Sequence, residues 1–489
     1  MKNKISLSVV TALCLTTLSL NAYEMKPVGF KAMGMGGTGV ASTRGSLSGY
    51  YNPALLRFSD YTAEFSANLG LRLRDSNVID NVDTLNKIDF ETTMDNIATG
   101  TTTATDRANI INAQNTLNKI GTNNAFMLSA TPSLTAQMSD ALAIGVYANL
   151  DVGLRLNIDT NHLDLIFDTG SGATGYQYFN PNDGSYTDSD LATYQSSSLE
   201  YAINSNNGLT YIQVDTMALV ETPISYAEAF EKANGTYSLG ISLKPMNLVT
   251  SSQKVNLGKS SSQADSDEAT YETTYKPTIG LDLGFAYVPR DSGVTFGLVG
   301  KNINSPKFKV DKSNTGITEA YKIDPFFRAG VSMSVLDDNA EFAFDVDLQK
   351  SDTLILGEET QNIGAGLEFH PSSWFSFRVG AMQDIASEKF DDGTILTTGI
   401  GFGLKWAQID LSAMASTKSG EYDGQTIPRY TALNLSLVSR WGDGYNKKIP
   451  EGQEEAHDYE NDDSLTFEEK RRLQKDAQRA QDELDKEVK

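Results

Sequence analysis

The chain has 489 residues with 63 Asp and Glu against 40 Lys and Arg, a formal net charge of -23, and a mean hydropathy of -0.32. That balance argues against nucleic acid or an anionic polymer as a ligand, because phosphate neutralisation needs clustered basic residues. By hydropathy alone the chain reads as a secreted soluble protein. No window beyond the N-terminus approaches the roughly 20 continuous apolar residues of a spanning helix.

Lys2 and Lys4 followed by the apolar stretch Ile5 to Leu20 and the small Ala22 read as a signal peptide over residues 1–22, cleaved near Tyr23. The single cysteine, Cys14, lies inside that signal behind the large Leu13, so the mature protein is expected to carry no disulfide, thiol chemistry or lipid anchor. Next comes the glycine-rich stretch Gly29 to Ala41, then Ser46 to Leu55 with its Asn52-Pro53-Ala54 motif. Gly34-Met35-Gly36-Gly37-Thr38-Gly39 satisfies a dinucleotide-binding pattern, but no strand leads into it and Ser42 to Tyr51 is a poor helix, so that function is set aside. Its glycines suit a backbone pressed against a crowded wall, and Pro53 fixes a turn before the first strand.

Strands follow over about 61–74, 124–138, 141–158, 209–221, 235–250, 276–288, 293–303, 323–335, 339–350, 361–370, 373–383, 394–405, 406–416 and 429–441. Each is long enough to cross a bilayer when tilted. Phe342, Phe344, Val346 and Leu348 share one face, while Ala343, Asp345, Asp347 and Gln349 share the other. One face suits lipid and the other water, a pattern that also flattens hydropathy. The links alternate long and short, the short ones including Ser139-Asp140, Pro289 to Ser292, Leu336 to Asp338, the region near Pro371, and Lys405-Trp406; only 222–234 fits the short class poorly. Trp374, Trp406 and Trp441 each stand beside a short turn, where an interfacial girdle places indoles.

These features define an all-β fold: a 14-stranded antiparallel transmembrane β-barrel over 61–441, with both termini periplasmic. A water-soluble β-sandwich also alternates and is the competing architecture. Within the first long link, 75–123, Val78, Val82, Leu85 and Ile88, then Ile110, Leu117 and Ile120, recur at helical spacing and predict two amphipathic helices in an external insertion. Residues 442–489 read as an acidic linker and a periplasmic helix opened by Thr466 and Glu469. Its stripe of Leu473, Ala477, Ala480 and Leu484 offers a surface for a periplasmic partner, or simply a solvated helix.

Taken together, Gly29 to Ala41, the Asn52-Pro53-Ala54 stretch, and the later Phe296 to Asn302 and Pro428-Arg429-Tyr430 resemble the fatty-acid-transporter (FadL-like) superfamily of outer-membrane barrels, within it the conjugal-transfer TraF-like subgroup. The resemblance covers roughly 23–441. It implies an N-terminal hatch over 23–60 plugging the lumen, with Gly34, Gly36, Gly37, Gly39, Asn52, Pro53 and Ala54 as hatch and gating residues. It further implies outer-membrane localisation, a monomeric barrel contacting lipid, a hydrophobic small-molecule ligand, passive transport, and sideways release at a kink in the third strand, for which Gly153 is the candidate. The alternative is a non-transporting structural barrel docked to conjugal-transfer or secretion machinery.

No enzyme constellation stands out. His162, His370 and His457 lack metal-ligand spacing, and Asp345, Asp347 and Asp410 read as lumen carboxylates, which tune ion passage and hydration. Asp458, Glu460, Asp462, Ser464, Thr466 and Glu469 mimic a calcium loop, but Asp463 occupies its glycine position. No cofactor and no metal site are expected.

Overall fold

The computed structural model describes residues 23–442 except 122–123, 171–174, 205–206, 257–269, 291, 315–316, 337–338, 356–357, 373, 388–389, 391 and 405. The signal, the tail helix and the calcium-like stretch lie outside the described residues.

Alternating side chains and hydrogen-bonded neighbours close the chain into a single antiparallel barrel. Its strands are β1 (Ala63–Ser76), β2 (Ala125–Gln137), β3 (Leu142–Asn157), β4 (Tyr211–Glu221 and Ile224–Lys232), β5 (Gly235–Asn256), β6 (Thr270–Tyr275 and Thr278–Pro289) and β7 (Val294–Lys301). The second half comprises β8 (Phe326–Val335), β9 (Ala340–Asp347), β10 (Asn362–Ser372), β11 (Phe375–Asp384), β12 (Thr394–Leu404), β13 (Ala407–Ser416) and β14 (Tyr430–Trp441). Each pairs with the next, and β14 returns to β1 with Trp441 opposite Ala63 and Tyr430 opposite Arg74. Closure leaves no open edge inside a membrane, where an unpaired backbone group costs several kcal/mol. Phe342, Phe344 and Leu348 are exposed on the outside of β9, whereas Ala343, Asp345 and Asp347 are buried within.

Among the short links, 222–234 is corrected. β4 does not end at Glu221: Ile224–Lys232 continues the same strand, pairing with Leu142–Ile144 of β3 and with Gly235–Leu243 of β5. Pro223, which lacks an N–H, interrupts the strand without turning it. The real turn is Ala233-Asn234, so the short rim is regular. Trp374, Trp406 and Trp441 stand on that rim, 57%, 62% and 51% exposed. Trp374 neighbours Phe375 at 5.8 Å between ring centroids, and Tyr237 stacks on Tyr287 at 4.5 Å. Exposed aromatics on one rim are the arrangement that a girdle at a headgroup boundary would need.

On the opposite rim the first insertion holds three helices rather than two: Val78–Asn86, Phe90–Ala98 and Ala104–Ile120. The middle one was missed although Phe90, Met94 and Ile97 recur at helical spacing; of these only Ile97 is buried, while Phe90 and Met94 are exposed. Thr103 and Asp106 form a reciprocal capping box at the third helix, and Asp89 caps the second. The hydrogen bonds from Thr103 and from Thr92 hold the Asp106 and Asp89 carboxyls below the usual carboxylate range. The link 159–208, without predicted structure, contains a three-stranded sheet (Ile166–Asp168, Tyr176–Phe179, Tyr186–Ser189) and the helices Leu191–Ser197 and Leu199–Ile203.

Candidate functional site: the filled lumen

Residues 23–59 run inside the barrel. They carry two short helices, Phe30–Gly34 and Ser48–Tyr51, and 3-10 turns at Gly45–Leu47 and Pro53–Phe58. The segment is held by backbone as much as by side chains. Its carbonyls accept from wall hydroxyls: Phe30 from Ser412 at 2.8 Å, Gly34 from Thr397 at 3.0 Å, Ala41 from Ser332 at 3.0 Å and Ala54 from Ser238 at 2.8 Å. One Asp345 carboxylate oxygen accepts from the Gly39 and Val40 amides, at 2.7 and 2.9 Å. These bonds come from five strands around the circumference, so the segment is anchored on all sides.

All seven hatch residues named from the sequence are buried here. Asn52 caps the Pro53–Phe58 turn by accepting from the Ala54 amide at 3.1 Å, and its amide group donates to Val40 at 2.9 Å and to Phe285 of the wall at 3.0 Å. Pro53 occupies the first position of that turn, where a missing N–H costs nothing. Gly36 adopts a φ of 69°, and a Cβ there would collide with the backbone oxygens of Ala365 and Ala381. The wall reciprocates with glycines of its own. Gly240 and Gly284 make room for Asn52 to Ala54, Gly297 for Val40, and Gly364, Gly366 and Gly380 for Met35 and Gly36. Sequence reasoning missed these six positions because glycines on strands carry no mark of what they face.

Ion pairs complete the attachment. Arg72 on β1 grips Glu24 with both terminal nitrogens, at 2.5 and 2.9 Å, and Asp151 on β3 takes Lys26 at 2.5 Å and the Tyr23 hydroxyl. Lys31 reaches Glu341 at 2.6 Å and Glu368 at 3.1 Å. Lys301 donates to the Tyr50 carbonyl at 2.6 Å. The cavities left between segment and wall are small. One of about 20 Å³ is lined by Tyr23, Glu24, Tyr50, Asn149, Glu221 and Lys301, and another of about 10 Å³ by Lys26, Gly70, Arg72, Thr131 and Tyr430. Each has room for about one water.

Above the segment, toward the long loops, the inner wall turns apolar: Met217, Leu219, Met246, Leu248, Phe308 and Ile323 pack together, with Tyr23 and Leu354 against them. In the wall itself, β2 and β3 pair over Phe126–Ala130 and again over Ser133–Gln137, with no pairing at Thr131 and Pro132. Proline removes the donor, and a central strand rarely tolerates it. Outside this lapse lies an apolar depression of about 360 Å³ lined by Ala67, Leu69, Pro132, Leu134, Val146 and Leu435, among others. Gly153 does not break the third strand. It pairs with Met127 on one side and Asp215 on the other, and its lack of a side chain makes room for Ile355 from an outer loop. Among the described residues no cluster of three or more His, Cys, Asp or Glu is arranged to hold a metal.

The family described as F plasmid transfer operon, TraF, protein matches residues 49–348. No curated protein matches the chain. Among solved structures it is similar to the Ralstonia pickettii toluene transporter TbuX, at 12% identity over 86% of this chain and 99% of that one, with a TM-score of 0.41. It is also similar to the CymD monoaromatic hydrocarbon channel (12%, 86% and 99%, 0.44) and to a Pseudomonas aeruginosa FadL homologue (11%, 86% and 100%, 0.43). Identities this low carry no inference about cargo.

Proposed function

The chain belongs to the TraF family matched over residues 49–348, and within it we propose an outer-membrane barrel that passes hydrophobic small molecules passively, with residues 23–60 as its gate. An apolar molecule arriving between the external loops meets the Met217, Leu219, Met246 and Leu248 surface and competes with Tyr23 and Leu354 for it. Loss of the Tyr23 contact frees the strand-like start of the segment, and the molecule then leaves sideways rather than through a charged, hydrogen-bonded plug. The observation that carries this reading is the coincidence at one wall position of three features. They are the lapse in pairing at Thr131 and Pro132, an apolar depression outside it, and a lumen cavity at Gly70 and Thr131 inside it.

The test is the double variant Asn52→Ala with Pro53→Ala in liposomes, which removes the cap and the fixed turn beside Phe285. Ion leakage is expected to rise and uptake of a long-chain fatty acid to change with it. Unchanged leakage together with unchanged uptake would end the gating proposal. The family description, with its plasmid transfer operon, favours a second reading as a docking barrel for envelope machinery through a periplasmic partner. That reading predicts no uptake by the wild type and an envelope protein recovered by crosslinking through residues 442–489.

A further inference from the structure

On the outer side the wall continues past the lipid-facing band through β6, the residues after β7 and those before β8. Phe308 and Tyr321 are cross-strand partners that lean inward against the apolar cluster. Their neighbours Lys307 and Lys322, also direct partners, are therefore turned outward. Lys276 bonds through its amide to the Lys309 carbonyl at 2.8 Å, and Lys312 stands opposite Thr274. All five lysines are exposed, with Glu272, Asp311, Glu319 and Asp324 the acidic residues in the same stretch. Only Lys322 has an ion-pair partner among the described residues, Asp324.

Two features set this patch apart. Like charges directly opposite in a sheet are destabilising, so Lys307 facing Lys322 is unfavourable without a counter-ion. And five lysines gather here in a chain whose net charge is -23. Height supplies the rest of the argument. Among the described residues Ile279 is the last exposed apolar side chain on β6, 57% exposed, and Lys276 lies three residues beyond it, about 10 Å along a strand. Asn304 donates to the Ile279 carbonyl at 2.8 Å, fixing the lysine-bearing segment at that level. The ammonium groups thus stand just past the hydrocarbon, where lipid headgroups lie.

We propose that Lys276, Lys307, Lys309, Lys312 and Lys322 form a binding site for the phosphate-bearing headgroups of the outer leaflet in which the barrel sits. The patch tethers the β6–β8 sector, which also carries Tyr275 and Phe308 of the apolar cluster. Anionic surfaces attract such lysine clusters in a salt-dependent way.

The experiment uses the full chain in detergent with fluorescent lipid A as probe, comparing wild type with Lys276→Gln, Lys307→Gln, Lys309→Gln and Lys312→Gln combined, and with the same four positions changed to Arg. Heat-modifiable gel mobility verifies that each barrel is folded. Lipid A binding is expected to weaken about tenfold in the Gln variant, to stay within about twofold in the Arg variant, and to fall with added salt. Equal binding by the Gln variant would overturn the proposal. So would displacement of lipid A by equimolar inorganic phosphate, which would make this a free-anion site, or tighter binding of a DNA duplex than of lipid A.

Discussion

Deletion of residues 23–58 is expected to convert a silent barrel into an open pore, with ion leakage from liposomes rising by at least about tenfold. The argument rests on size and lining. Eight strands enclose a space that side chains fill, whereas sixteen to eighteen leave an aqueous channel. Fourteen strands lie between, and here the difference is made up by the N-terminal segment, between which and the wall lie cavities as small as about 20 and 10 Å³. Emptied, the bore would present Arg328, Asp345, Asp347, Arg378 and Asp410, all buried now. Water would hydrate those charges readily, so the empty lumen should flood rather than collapse. Gly36→Leu tests the same idea without a deletion, since any side chain there meets the Ala365 and Ala381 carbonyls and strains a φ of 69°. A barrel that migrates as folded yet stays silent in both variants would mean that the seal lies elsewhere.

The barrel was legible in the sequence because one face of every strand meets lipid, and that requirement repeats at each second residue from Phe65 to Leu437. Turns were legible where a loop was short. The strand expected to end at 221 resumes beyond Pro223, which interrupts the pairing at 222–223 without turning the chain. Gly153 misled because a strand glycine signals either a break or a close approach, and Ile355 shows it to be the second. The glycines and Asn52-Pro53-Ala54 pointed to the buried segment, but the charges that fasten it were invisible. Arg72 meets Glu24 across 48 residues and Asp345 meets Gly39 across 306. Such pairings depend on strand tilt and register, which alternation does not encode. The 159–208 insertion was missed because its strands of three or four residues are too short to show a period.

Lys26→Met is expected to destabilise the closed state by about 3 kcal/mol or more, because it leaves the Asp151 carboxylate buried without its cation. Lys26 and Asp151 have side chains only 3% and 1% exposed. The position of this pair gives it a role beyond stability. Asp151 belongs to β3 and Arg72 to β1, and β2, which lies between them, carries Thr131 and Pro132, paired with Gly70 and Leu69 of β1 but not with β3. Arg72 also lies 3.4 Å from the Ser129 hydroxyl of β2. Glu24 and Lys26, two residues apart, therefore strap β1 and β3 together across the strand whose pairing with β3 lapses. Cutting the strap should loosen the segment and the wall at once, so Lys26→Met should raise ion leakage and proteolysis near Tyr23 together. Reversing the pair, Lys26→Asp with Asp151→Lys, keeps the attraction and should restore most of the loss, whereas Lys26→Met with Asp151→Leu removes both charges and should cost less than either single change. The measurements are thermal unfolding of the reconstituted barrel and leakage on the same preparations. Single variants that melt and leak like the wild type would leave the strap no part in closure.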